Sequence, residues 1–148
     1  MKFQQETLAS SLEESKPLLQ KHWDEIAHYK DIPLNPDYEL YFKLEAAGVL
    51  KCYSVRDGNA RMIGYAVYLI QHNPHYKQSL VAKQDIVFID PACRGQGMLF
   101  IQWCDQQLKE LGVQIVTHHV KAAHNFGRGL ERMGYELQDL IYTKRLDK

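Results

Sequence analysis

The stretch from Asp90 to Gly97 constrains the fold of this chain more than any other. It follows 87–89, a run of β-branched and aromatic residues typical of a buried strand, and it precedes apolar residues at helical spacing. Gly95 and Gly97 let backbone N–H groups approach a ligand closely, and a helix start adds free amides and the positive end of a dipole. The strand–turn–helix unit therefore predicts a site for a phosphate or diphosphate. The alternative is a tight turn in which the glycines serve backbone geometry alone.

Two common phosphate-binding patterns do not fit this turn. A P-loop requires G-x-x-x-x-G-K-[ST], and the sequence contains none. A Rossmann fingerprint requires a third glycine, but position 100 is Phe100. Arg94 within the turn is suited to a charge-assisted hydrogen bond with a phosphate oxygen.

The remaining periodicity predicts the order helix, helix, three strands, helix, strand, helix, strand. Ser11 or Ser15 is expected to begin the first helix and Asn35 to cap the second. Strands are expected at 49–55, 62–70, 80–89, 113–116 and 140–146, a polar loop at 71–78 and a last helix at 122–133. Antiparallel hairpins followed by βα units predict a mixed α/β chain.

Length and composition narrow the class of protein. The 148 residues predict a single domain over 1–148, and 18 Lys+Arg against 18 Asp+Glu disfavour a nucleic-acid partner. The longest apolar run, 62–70, is too short to cross a bilayer, and the first residues carry no signal-peptide pattern, so no membrane association is expected. The cysteines, Cys52, Cys93 and Cys104, are scattered. They predict free thiols in a reducing, cytoplasmic compartment.

The central turn resembles the core motif [RQ]-x-x-G-x-[GA] of the GCN5-related N-acetyltransferase (GNAT) superfamily. Arg94 and Gly97 match that motif, whereas Leu99 replaces its last small residue. The segment 130–135 resembles the superfamily's Y-E-K-x-G-[FY] ending, and the likeness extends over nearly the whole chain. The run 124–127 also resembles small acetyltransferase-like proteins of phages and prophages.

The resemblance implies a GNAT fold, which is a central mixed, mostly antiparallel sheet, splayed at its middle strands and flanked by about four helices. It implies an N-acetyltransferase that uses acetyl-CoA and no metal, with a primary amine of a small molecule or protein as acceptor. A homodimer stays open. The implied cofactor contacts are backbone groups of Val87, Phe88 and Ile89 for the pantetheine, amides of Arg94, Gly95, Gln96, Gly97, Met98 and Leu99 for the diphosphate, and Asn125 and Phe126 at the far end.

An amine must lose a proton to attack a thioester, so a base is expected. Asp85 is the first candidate, because it is the one acidic residue within the predicted strand 80–89 and family members often carry a carboxylate there. The alternative is a solvated carboxylate at a strand edge. His118 and His119 follow the next strand, and adjacent strand residues face opposite ways, so at most one would serve. We take His119 as that candidate.

The resemblance also exposes a departure. The position of the superfamily's usual acid, a tyrosine in the last helix, holds Leu130. Tyr135 and Tyr142 are the nearby substitutes, and Tyr135 is the candidate acid. Leu99 and Leu130 motivate a second reading, a catalytically weak or inactive GNAT-fold module that binds CoA or a protein partner. A third reading is a binder of another nucleotide phosphate.

Overall fold

A computed structural model of the chain describes the backbone of residues 1–148 and every side chain except that of Arg94. Five strands, four α-helices and two 3₁₀ segments succeed one another along it. Their order is β1 (Lys2–Glu6), α1 (Leu8–Ile26), α2 (Tyr38–Ala46), β2 (Leu50–Arg56), β3 (Met62–Asn73), β4 (Tyr76–Ile89), a 3₁₀ segment (Pro91–Gln96), α3 (Gly97–Glu110), β5 (Ile115–Thr117), a 3₁₀ segment (Ala122–His124) and α4 (Gly127–Arg132).

The five strands form one sheet in the order β1-β2-β3-β4-β5. The first three pairings are antiparallel, and β4 pairs with β5 in parallel. The sheet is therefore mixed and mostly antiparallel and accompanies four helices, which confirms the predicted fold class. None of the described helices is both long and apolar enough to cross a membrane.

The two faces of the sheet have separate cores because side chains alternate along each strand. Ala66 and Tyr68 of β3 pack with Phe100 and Leu108 of α3, and all four are fully buried. Val67 between them points to the other face, where it packs with residues of α1 and α2. We refer to these as the α3 face and the α1/α2 face.

The strand β1 was not predicted. Its Phe3 lies opposite Val55, but the rest of the strand is polar and gives no alternating apolar pattern. A buried polar cluster holds it instead. The Glu6 carboxylate accepts hydrogen bonds from the Ser54 hydroxyl (2.6 Å) and Arg56 Nε (2.8 Å). Pairing with β2 and the hydrogen bonds of this cluster therefore stabilise β1, although its sequence has only a weak preference for a strand.

The predicted helix starts were wrong by a few residues. Thr7 caps α1, and its hydroxyl accepts the amide hydrogen bond of the residue three positions on at 3.2 Å. The predicted caps Ser11 and Ser15 lie inside the helix, where their hydroxyls donate to backbone carbonyls of the preceding turn. Asp37, rather than Asn35, caps α2. Several residues in each segment have capping side chains, so the sequence did not determine which is used.

Predictions for three further segments, one loop, one strand and one helix, were also wrong. The predicted loop 71–78 belongs largely to the β3–β4 hairpin, in which His72 lies opposite Leu80 and Asn73 opposite Tyr76. The predicted strand 140–146 is irregular, and the predicted helix 122–133 is divided into a 3₁₀ segment and the short α4. β5 has three residues, so it offers little edge for another strand. The tail is held by Arg145, which pairs with Asp31 at 3.0 Å.

Candidate active site

The strands β4 and β5, the last two of the sheet, are paired over a short stretch only. Their parallel pairing covers 81–83 of β4 and Ile115–Thr117 of β5. β4 continues for six residues beyond Lys83 that do not pair with β5, which leaves a gap between the two strands. The side chain of Gln84 spans the start of this gap, because its Oε1 accepts a hydrogen bond from the His119 amide at 2.7 Å. β4 and β5 therefore diverge as the resemblance implied, but at the last pair of strands rather than at the middle of the sheet.

An irregularity of β4 determines which way Asp85 points. Val67 of β3 lies opposite Ile86, but Tyr68 lies opposite Gln84, so Asp85 is an extra residue in a β-bulge. A bulge shifts the side-chain alternation by one position. Gln84 accordingly belongs with the α3 face, whereas Asp85 and Ile86 both reach the α1/α2 face.

A tyrosine of α2 meets the bulged carboxylate. The Tyr41 hydroxyl donates a hydrogen bond of 2.6 Å to Oδ2 of Asp85. Burial, together with the adjacent carboxylate, raises the pKa of the Tyr41 phenol well above its usual range. Tyr41 therefore stays protonated and donates to a carboxylate, a charge-assisted bond that fixes the position of Asp85.

A groove of about 670 Å³ lies on the same face, between α1, α2, the 27–37 loop and the sheet. We call it the α1/α2 groove. Tyr41 and Ile86 line it, so it opens beside the Asp85 carboxylate. Its walls are mainly apolar, and the C-terminal tail closes one side through Ile141 and Thr143. The Thr143 hydroxyl is 3.0 Å from that of Tyr29. The volume lies within the range of small-molecule sites.

The turn predicted after β4 is present and has helical structure of its own. Pro91–Gln96 form a 3₁₀ segment that runs directly into α3. Asp90 anchors it, because its carboxylate accepts the Ala92 amide (3.1 Å) and pairs with Lys21 of α1 (3.1 Å). The backbone hydrogen bond and the lysine hold the pKa of Asp90 below its usual range. The turn is thus tied to both the sheet and α1.

The glycines of this turn are open to approach. Among the atoms that the structure describes, a methyl group at Gly95 would meet none within 4 Å, and one at Gly97 would meet Ile89 Cδ1 at 3.7 Å. Leu99 is 54% exposed, whereas Met98 packs against Gly129 of α4. The predicted contact of the Arg94 side chain lies outside the described residues.

The other candidate residues lie towards the α3 face. The Tyr135 hydroxyl donates to Asp105 of α3 at 2.5 Å, and its ring packs edge-on against His118. Burial lowers the pKa of His118 to about 4, so this ring is neutral at pH 7. Burial, with Lys83 and Lys121 nearby, also lowers the pKa of His119. The structure brings Asp85 to one face and Tyr135 to the other, with the gap between β4 and β5 separating them.

Asn125 and Phe126 lie just before α4. The Asn125 side-chain oxygen accepts the Gly127 amide at 2.8 Å, which shapes the turn into α4. The Phe126 ring packs edge-on against His118, whose backbone directly follows β5. Among the side chains that the structure describes, no group of three or more His, Cys, Asp or Glu is placed to hold a metal ion.

Comparisons with known proteins relate this architecture to acetyltransferases. No protein-family model and no curated protein matches the sequence. Among solved structures, a ribosomal-protein-alanine N-acetyltransferase from Brucella melitensis biovar Abortus 2308 is 15% identical (99% of this chain, all of that one, TM-score 0.72). A candidate acetyl transferase from Pyrococcus furiosus is 17% identical (98% and 100%, TM-score 0.75). An aminoglycoside acetyltransferase from an uncultured soil sample is 15% identical (98% and 95%, TM-score 0.73). The chain therefore has the fold of the GNAT acetyltransferases.

Proposed function

We propose that this protein is an N-acetyltransferase that moves the acetyl group of acetyl-CoA to a primary amine. The observation that carries the proposal is the bulge in β4. It turns Asp85 into contact with Tyr41, which lines the α1/α2 groove, on a part of β4 that does not pair with β5. Acyl transfer to an amine is helped by a group that accepts the proton of the amine and by a site that orients the reactants, and a fixed carboxylate beside a groove suits both. The fold shared with acetyltransferases supports the same reading, although a fold by itself does not define an activity.

The residues present fit a coenzyme A thioester. Val87, Phe88 and Ile89 lie beyond the part of β4 that pairs with β5, so an amide-containing arm would run along this segment. The open glycines let a diphosphate approach the turn, where amides of the 3₁₀ segment and of the start of α3 would exchange local hydrogen bonds for phosphate oxygens. Asn125 and Phe126 border the other side of the gap. When bound, the coenzyme supplies the activated acetyl group.

Asp85 is the proposed base. An amine with a pKa near 10.4 is protonated at pH 7, and removing its proton costs about 4–5 kcal/mol. Asp85, fixed by Tyr41, would accept this proton directly or through a water molecule. The amine nitrogen forms a bond to the acetyl carbon and gives up a second proton to water, the carbon–sulfur bond breaks, and the sulfur leaves as a thiolate that takes up one proton. The products are an N-acetylated amine, the free thiol and one proton released to solvent.

Tyr135 is the proposed source of the proton for the sulfur. It lies towards the α3 face, so the amine and the leaving sulfur would lie on opposite sides of the gap. Its hydroxyl donates to Asp105, so its role requires a change of hydrogen-bond partner. His119 stays an alternative base, neutral at pH 7 because its pKa is lowered.

We also propose a cytoplasmic location, which agrees with three unpaired cysteines.

Replacement of Asp85 by Asn tests the proposal, because it keeps the shape of the side chain and removes the base. With acetyl-CoA and a panel of primary amines, we expect kcat to fall at least about 100-fold, the usual contribution of a general base, at unchanged acetyl-CoA affinity. Asp24→Asn, the same change at an exposed position of α1, is the control. Full activity of Asp85→Asn would refute the assignment of Asp85.

A second candidate function is a CoA-binding module without catalysis. Leu130 is buried where the superfamily's acid usually stands, and the Tyr135 proton is engaged by Asp105. Acetyl-CoA binding without transfer to any amine of the panel would favour this reading. Transfer that depends on Asp85 would exclude it.

A further inference from the structure

The α1/α2 groove carries information about the acceptor that the fold does not. Proteins with this fold include an enzyme named for an alanine of ribosomal protein and one named for aminoglycosides. The acceptor must therefore be read from the side chains of this chain's own groove. This inference rests on the proposed function, because it identifies the groove as the acceptor site.

The described side chains that line the groove provide aromatic and aliphatic surface. Leu12, Leu19 and Trp23 come from α1, Ile32 and Leu34 from the loop, and Phe42 from α2. Phe42 is 39% and Ile32 48% exposed, and both line the groove, so part of the groove wall is apolar surface in contact with water. An occupant with an apolar body would remove this surface from water, which is favourable in proportion to the area buried.

Charge in the groove is the second observation. Among the described lining residues none is Asp or Glu, whereas Lys121 contributes a positive charge. Lys121 directly precedes the 3₁₀ segment Ala122–His124, and His124 pairs with Glu25 near the end of α1 at 3.2 Å. Asp85 is not itself a lining residue, but the hydroxyl of Tyr41, which lines the groove, donates to its carboxylate. An ammonium group placed at Tyr41 would therefore be next to a carboxylate, whereas a second ammonium group in the groove would meet apolar walls or Lys121.

We propose that the acceptor is a monoamine with an aromatic or branched aliphatic body, and that polyamines and aminoglycosides are poor acceptors. The apolar body lies against the walls formed by α1 and the 27–37 loop, and the amino group lies at the Asp85 end. Burial of a second ammonium group without a counter-charge would oppose binding of a polycation.

The test compares phenethylamine and isoamylamine with spermidine and kanamycin in an acetyl-transfer assay. We expect kcat/KM for phenethylamine to exceed that for spermidine at least about tenfold, within the range that apolar pockets provide. Ser15→Asp then places a carboxylate in the groove, with Ser15→Asn as the uncharged control. The Ser15 hydroxyl donates only to the Leu12 carbonyl within α1 (2.7 Å), so both variants should fold, which thermal unfolding would verify.

We expect Ser15→Asp, and not Ser15→Asn, to reduce the preference for phenethylamine about three- to fivefold, as one partly exposed ion pair would. A higher kcat/KM for spermidine than for phenethylamine would overturn the inference and leave the transferase proposal intact. The same holds if the ratio of kcat/KM for phenethylamine to that for spermidine is equal in Ser15→Asp and Ser15→Asn. Calorimetric titration with 2-phenylethanol, which has no amine, distinguishes failure of the transferase proposal from failure of the proposed apolar acceptor site. Its binding without acetylation of any amine would refute the transferase alone, and its failure to bind would overturn the apolar site.

Discussion

Replacement of Gly64 by Ala perturbs the sheet at the strand end that the proposed cofactor would contact. Gly64 lies opposite Ile89 in the β3–β4 pairing. A methyl group there would be 2.7 Å from the Phe88 carbonyl oxygen, 2.9 Å from Ile89 Cγ1 and 3.2 Å from Ile89 Cα. Two of these atoms belong to the backbone, so the clash cannot be relieved by rotating a side chain. The two strands must move apart locally.

The size of the effect follows from this geometry. Overpacking costs typically about 1–3 kcal/mol, and a backbone obstacle places Gly64→Ala in the upper half of that range. For a chain of this length we expect a decrease in Tm of roughly 4–12 °C, since each kcal/mol shifts Tm by about 2–4 °C. Because the ends of β3 and β4 separate, Phe88 and Ile89 move as well, and acetyl-CoA affinity should fall.

Thermal unfolding by circular dichroism measures the stability, and calorimetric titration measures the acetyl-CoA affinity. Gly58→Ala is the matched control, because a methyl group in that turn would meet nothing within 4 Å. We expect its Tm to stay within about 2 °C of the wild type, as is usual for a surface substitution away from special features. Equal Tm values for Gly64→Ala and Gly58→Ala would show that the close approach of β3 and β4 is wrong.

Two further predictions concern the buried polar cluster and the turn. Burial opposes ionisation of Glu6, but hydrogen bonds from Arg56, Ser54 and Gln4 lower its pKa below 4.5. The stability it provides is therefore present above pH 4.5 and is lost as the pH falls through the lowered pKa. Glu6→Gln should flatten the decline in Tm between pH 5 and pH 3, and an unchanged decline would contradict this account. Gly97→Val should weaken acetyl-CoA binding at least about tenfold, because its side chain would block the approach of the diphosphate to the backbone of the turn, while Tm should change little. Unchanged acetyl-CoA affinity would count against the diphosphate site.

Parts of the fold were predictable because their signals are local. The continuous β-rich run before the turn and the apolar spacing after it gave β4 and α3. α2 ends just before Gly48, whose φ of +75° a residue with a side chain disfavours, so a glycine is a local signal of a helix end. The strands β3 and β4 extend beyond their apolar patterns because they stay paired with each other up to the hairpin at 73–76.

The decisive part of the site was not predictable, because it depends on contacts between distant residues. Asp85 was identified by its place in a strand, but its direction follows from a bulge that only the β3–β4 register reveals. Tyr41 was one of several aromatic residues in α2, and only tertiary packing selects it as the partner of Asp85. The tail 140–146 forms no strand for a related reason: it is held by side-chain contacts of Thr143 with Tyr29 and of Arg145 with Asp31, which no local pattern indicates.

The most direct test of the central claim is an amide NMR titration of ¹⁵N-labelled protein with acetyl-CoA. The account predicts saturable shifts of the backbone amides of 94–99 and 87–89, with the turn at 57–60 unaffected. Desulfo-CoA, which retains the diphosphate and cannot donate an acetyl group, should shift the amides of 94–99 in the same way. Absence of shifts at 94–99, or saturable shifts confined to other parts of the chain, would contradict the account.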